Sequence, residues 1–137
     1  MKVCILVANS LRKDPRVIKQ IRCAMDAGID VHFIGFKTKF YSKEFLDSVG
    51  CHIYIVDTYI GKLKSTIKKL LRKFHHFYYP IKYIIKIKPD VIHANDYNTL
   101  IQAYIGSKIV GGKVIYDSHE VCAENIGMTD KKFQKKV

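Results

Sequence analysis

Five short apolar runs, each ending at a polar turn and most separated from the next by a segment of helical spacing, constrain this chain's fold more than any other feature. The first, Lys2 to Ala8, is rich in Val and Ile. It suits a strand buried on both faces, as the central strands of parallel sheets are. It stops at Asn9. Asp14 followed by Pro15 then predicts a helix start, because the carboxylate can accept from orphan amides and a proline at the first helical position loses no hydrogen bond. Val17, Ile18, Ile21, Ala24 and Met25 follow at helical spacing, and Gly28 stands where a left-handed cap would close the helix. Val31, Phe33 and Gly35 alternate with His32 and Ile34 as a second strand, completing a βαβ unit whose crossover is right-handed.

The order then repeats. Lys37 to Val49 predicts a loop with a short helix, Cys51 to Val56 a third strand, and Asp90 to Ala94 a fourth. Thr99 to Val110 is a helix closed by Gly111 and Gly112, and Lys113 to Tyr116 a fifth strand. The expected fold class is α/β, a doubly wound, Rossmann-like parallel sheet of about five strands with helices on both faces. With 137 residues, 48% of them apolar, the chain holds one continuous core and no second full domain.

Several classes are excluded or disfavoured. Cys4, Cys23, Cys51 and Cys122 lack the close pair spacings of zinc or redox motifs, so reduced thiols and no metal site are expected. The apolar opening is too short for a signal-peptide core, and no run approaches the roughly 20 residues that span a bilayer. A cytoplasmic protein is expected. The turn from Ala8 to Pro15 contains no glycine, which disfavours both a dinucleotide fingerprint and a phosphate loop. No bound cofactor is expected. A formal charge of +12, from 24 Lys and Arg against 12 Asp and Glu, favours anionic partners: nucleic acid, anionic lipid or phosphate-bearing substrates.

That charge is concentrated between Gly61 and Lys88, where nine lysines and arginines stand with no acidic residue. On a helix, Leu63, Ile67, Leu70, Leu71, Phe74 and Tyr78 share one side, while Lys62, Lys64, Lys68, Lys69, Arg72 and Lys73 take the other. The plain expectation is a crossover helix whose apolar stripe packs on the sheet and whose lysines are solvated. A sharper one adds a membrane surface: the aromatic run Phe74 to Tyr79, which Pro80 is expected to break, lies beside positive charge as anionic headgroups favour. Lys62, Lys68, Lys69, Arg72, Lys73, Phe77, Tyr78 and Tyr79 are the candidate membrane contacts. Nucleic acid is a weaker fit, since no helix-turn-helix, zinc or RNP-like pattern accompanies the charge.

In an open parallel sheet, ligands bind beyond the carboxyl ends of the strands, near the point where strand order reverses. The candidates are therefore the turns Asn9 to Asp14, Asn95 to Asn98 and Asp117 to Glu120, all rich in groups that recognise hydroxyls. His119, between Asp117 and Glu120, is either a polar anchor and proton acceptor or a structural residue. Asp96 either contacts a ligand or caps the helix beginning near Asn98.

Three segments stand together in order: Asn9-Ser10-Leu11-Arg12-Lys13-Asp14-Pro15-Arg16-Val17, then Pro89-Asp90-Val91-Ile92-His93-Ala94-Asn95-Asp96, then Tyr116-Asp117-Ser118-His119-Glu120. They resemble the amino-terminal domain of the retaining family 4 glycosyltransferases of the GT-B fold, over nearly all 137 residues. The resemblance implies an enzyme of two Rossmann-like domains facing a cleft. The amino-terminal one would bind a glycan or glycolipid acceptor, and a carboxyl-terminal one, absent from this sequence, would hold the nucleotide-sugar donor without a bound metal. It further implies that Asn9, Ser10 and Arg12 border the cleft, that Asn95, Asp96, Ser118 and Glu120 contact substrate, and that His119 is the candidate catalytic residue. Two positions depart from the family pattern: many relatives carry glycine in the first loop, and many carry histidine where Asn95 stands. Arg16 is assigned to pairing with a carboxylate.

The resemblance also accommodates the basic helix, since several members act on lipid-linked acceptors; the protein would then be peripheral on the inner face of the membrane. The leading expectation is the acceptor-side domain of a glycosyltransferase, inactive alone because catalysis needs groups on both sides of the reacting centre. Its rivals are a stand-alone flavodoxin-like α/β binding module and a basic nucleic-acid-binding domain.

Overall fold

The computed structural model describes residues 1–12, 14–58 and 65–118. Its elements run β1 (Lys2–Leu6), α1 (Pro15–Asp26), β2 (Asp30–Phe36), α2 (Lys43–Val49), β3 (His52–Val56), α3 (Ser65–Ile87), β4 (Val91–Ala94), α4 (Tyr97–Val110) and β5 (Lys113–Tyr116). All five strands are parallel, in the order β3-β2-β1-β4-β5. Leu6 on β1 is in register with Ile34 on β2 and Ala94 on β4, so the chain leaves these three strands along one edge.

Strand alternation sends side chains to two separate cores. Ile5, Val31 and Phe33 pack with Val17 and Ile21 of α1 and Leu46 of α2 on one face. Cys4, Leu6, Ile34 and Ile92 pack with Ile84 of α3 and Ala103 of α4 on the other. Helices thus cover both faces, and the order of strands reverses between β1 and β4. The local signals read from the sequence account for the helix ends. Asp14 caps α1 by accepting from the Val17 amide, Pro15 opens it, and Gly28 and Gly111 take left-handed φ angles of 74° and 79°.

Helix α3 departs from expectation in two ways. It runs through Pro80, where a break was expected; the proline cannot donate to the carbonyl of His76, and its own burial offsets that loss. Its apolar stripe packs only over the second half, where Pro80, Ile84 and Ile87 are buried. In the first half Ile67, Leu70 and Phe74 remain 48%, 70% and 58% exposed, and Tyr78, just past the middle, is 46% exposed.

Length explains the difference. At 23 residues, α3 is about 34 Å long, whereas β2, the longest strand, spans roughly 23 Å. His76 stacks on Phe36 at the carboxyl end of β2, with ring centroids 4.1 Å apart. The residues before His76 therefore overhang the carboxyl edge of the sheet.

Candidate functional site

The turn after β1 is tied together by its own polar groups. Asn9 Oδ1 accepts from the Leu11 amide at 2.7 Å, and Asn9 Nδ2 donates to Asp14 Oδ2 at 3.3 Å. Asp14 Oδ1 accepts from the Val17 amide (3.4 Å) and from Arg16 Nε (3.3 Å), which gives Arg16 the carboxylate partner expected for it. Ser10 is nearly buried, its Oγ 2.7 Å from Thr38 Oγ1.

The Phe36 amide donates to the Asn9 carbonyl at 2.9 Å, fastening the turn to the end of β2. Gly35 permits that approach, since a Cβ there would lie 2.7 Å from the Asn9 oxygen. Within the turn Leu11 adopts φ 71° with its side chain fully buried. A left-handed backbone costs a branched residue roughly 1–2 kcal/mol, and burial of the leucine, about 1.5–3 kcal/mol, offsets it.

The turn after β4 is built differently. The Asn95 amide nitrogen of the main chain donates to the Leu6 carbonyl at 3.0 Å, so the residue sits against the end of β1, at the reversal of strand order. Asn95 is 1% exposed, and neither Oδ1 nor Nδ2 of its side chain has a hydrogen-bond partner. Leaving a buried amide unpaired costs about 1–3 kcal/mol per group. Asp96 occupies the cap position of α4 without a side-chain capping bond; its carbonyl accepts from the Thr99 amide and from Thr99 Oγ1 (2.9 Å). The capping role considered for Asp96 is thus filled by its main chain.

The third turn lies on the same edge, its Asp117 amide donating to the Ala94 carbonyl at 2.9 Å. Asp117 Oδ2 accepts from Gln20 Nε2 of α1 at 3.2 Å and lies 3.9 Å from His93 Nε2. Gln20 Oε1 is buried without a partner. His93 and Gln20 were not singled out from the sequence. The available signal was His93 itself, a histidine inside an otherwise apolar strand.

Asn9, Ser10, Arg12, Asn95, Asp96 and Ser118 therefore lie in turns along the carboxyl edge; Arg12 and Ser118 are exposed there. His119 and Glu120 lie outside the described residues, as does Lys62. Of the membrane candidates, Lys69, Arg72, Lys73, Phe77 and Tyr78 are exposed and Lys68 is half-buried. Tyr79 packs against the core instead, its neighbours on the helix carrying it to the sheet side. Desolvation pushes the His76 imidazole below its ordinary pKa, so it favours the neutral form against Phe36. No helix among the described residues is long and apolar enough to cross a membrane. No disulfide occurs among them either: Cys4 is buried, Cys51 half-buried and Cys23 exposed.

No protein-family model and no curated protein sequence matches the chain. Solved structures do. The lipopolysaccharide outer core galactosyltransferase WaaB matches with a TM-score of 0.61 at 18% identity, over 93% of this chain and 37% of that one. MurG from Acinetobacter baumannii matches with a TM-score of 0.60 at 15% identity, over 93% and 39%. The UDP-GlcNAc 2-epimerase of Methanocaldococcus jannaschii matches with a TM-score of 0.53 at 20% identity, over 85% and 31%. The chain spans about a third of the length of these proteins. At such identities the likeness is one of fold, a Rossmann-like α/β fold shared with part of each of these GT-B proteins.

Proposed function

We propose that this chain is the acceptor-side domain of a retaining glycosyltransferase, which moves a sugar from a nucleotide-sugar to a hydroxyl of a glycan or glycolipid. The observation that carries the reading is the Asn95 side chain: a buried amide with donor and acceptor both unused, at the strand-order reversal. A sugar hydroxyl both donates and accepts, so it complements such an amide fully. The fold likeness to WaaB and MurG supports transfer chemistry, and the likeness to epimerases supports a nucleotide-sugar more generally. The donor would be held by a second domain across the cleft, beyond these residues. Arg12, Asp96 and Ser118 would contact substrate, and His119 would supply the polar or proton-accepting group. Neither role calls for a metal.

The test is to incubate the 137-residue chain with UDP-GlcNAc and N-acetylglucosamine oligosaccharides. The expected outcome is binding of the oligosaccharide, lost in Asn95→Leu, with no transfer and no donor hydrolysis. Turnover by the chain alone, or oligosaccharide binding indifferent to Asn95, contradicts the reading.

The same proposal includes docking on an anionic membrane through the overhanging half of α3. Ile67, Leu70 and Phe74 are exposed beside Lys69, Arg72 and Lys73, at the edge where the acceptor would enter. A groove of about 370 Å³ lined by Thr58, Arg72, Lys73, His76 and Phe77 is large enough for a lipid phosphate. Each engaged lysine or arginine contributes on the order of 1 kcal/mol. Sedimentation with vesicles containing anionic phospholipid should carry the protein down, neutral vesicles should not, and Leu70→Glu should weaken the effect. Equal binding to both vesicle types removes the docking role.

A further inference from the structure

The opposite edge of the sheet gathers three groups that stand far apart in sequence. Parallel register sets His32 on β2 beside His52 on β3, with their rings stacked at a centroid distance of 4.6 Å. Asp30, two residues before His32 on the same face of β2, lies 3.3 Å from His32 Nε2 through Oδ2 and 3.5 Å from His52 Nε2 through Oδ1. One ligand atom from each residue falls within 4.8 Å of the others. We propose that Asp30, His32 and His52 form a binding site for a divalent transition-metal ion of the zinc class, pinning the edge strand β3 to β2.

Geometry and chemistry support the same ion. A tetrahedral ion with bonds near 2.1 Å holds its ligand atoms roughly 3.4 Å apart, close to the two separations of 3.3 and 3.5 Å between Asp30 and the imidazoles. The His32 contact to Asp30 is a long hydrogen bond and the His52 contact is longer still, so the two imidazoles and the carboxylate face one another without a tight pairing. Two imidazoles and one carboxylate are the donor set that zinc and its neighbours select over magnesium.

The protein also prepares the ligands. Hydrogen bonding from His32, with lesser effects from the charges of both histidines and Lys2, holds the Asp30 carboxyl below its usual range. Lys2, the lysine acting on Asp30, has its ammonium engaged 3.1 Å from the Ile87 carbonyl. His32 is buried against Tyr54, with ring centroids 5.9 Å apart, which fixes its orientation. His52 and Asp30 are open to solvent along a groove of about 360 Å³ that also touches Gly28 and Cys51, giving the ion a path in and leaving a position for water. The site lies a strand's length, about 20 Å, from the carboxyl-edge turns, so its role is structural.

Thermal unfolding of the 137-residue chain with zinc chloride or magnesium chloride tests the site. Zinc should raise Tm at pH 7.5 and magnesium should not. His52→Ala, an exposed change that leaves the fold intact, should abolish the rise and weaken zinc binding by at least about 100-fold, the upper end of what loss of a mere supporting residue costs. No rise with zinc, an equal rise with magnesium, or an undiminished rise in His52→Ala overturns the proposal.

Discussion

Asn9 and Asn95 end neighbouring strands on the same edge of the sheet, yet their side chains are used in opposite ways. The Asn9 amide is spent on its own turn, accepting from Leu11 and donating to Asp14. The Asn95 amide is more deeply buried and bonds to nothing. Identical chemistry in adjacent turns thus separates a polar group that shapes the protein from one left for a ligand. The turn after β1 is closed by its own contacts, and substitutions there should damage stability. The turn after β4 is open, and its substitutions should damage recognition instead.

The largest effect should come at Leu11. Replacing it by alanine removes a fully buried side chain while keeping the left-handed backbone strained, with an expected loss of about 2–5 kcal/mol. Leu11→Gly should be less harmful than Leu11→Ala by about 1 kcal/mol, because glycine adopts φ 71° freely. Chemical denaturation of both variants checks the order, and alanine outperforming glycine would show that the strain is not there.

Next in size is Asp14→Ala, which removes the α1 cap together with the partners of Asn9 and Arg16. A loss near 2 kcal/mol, the upper end for a helix cap, is expected. Asn9→Ala should cost less, about 1 kcal/mol, since one amide contact of 2.7 Å and one of 3.3 Å are lost at a half-buried position. Were Asn9→Ala neutral and Asn95→Ala strongly destabilising, the contrast between the two turns would be reversed.

Much of this edge was legible in the sequence because its determinants are local. Asp14 and Pro15 mark a helix start wherever they fall, Gly28 and Gly111 mark left-handed caps, and the length of each apolar run limits its strand. What stayed hidden depends on neighbours distant in sequence. Leu11 gives no hint of a left-handed backbone, since its conformation is held by burial rather than by residue type. The apolar stripe of α3 is plain from spacing, but spacing cannot say that the helix outruns the sheet and leaves Leu70 and Phe74 exposed. Asp30, His32 and His52 become a cluster only through the register of two parallel strands. The polarity of the turn at Asn95 was evident from the start; that its amide lacks a partner follows from the atoms packed around it.

The exposed edge of β5, where Ile115 and Tyr116 are 52% and 42% accessible, contrasts with β1 in the same way. An apolar edge strand is a surface for further pairing.

The central claim is that the Asn95 amide is kept for a ligand and does no work in the fold. Asn95→Leu, close in size and shape, measures this most directly when its unfolding free energy and its oligosaccharide affinity are determined together. Removal of an unpaired buried amide should leave stability unchanged or raise it by about 1 kcal/mol, while oligosaccharide binding is lost. A destabilised variant that still binds oligosaccharide as well as the parent would contradict it.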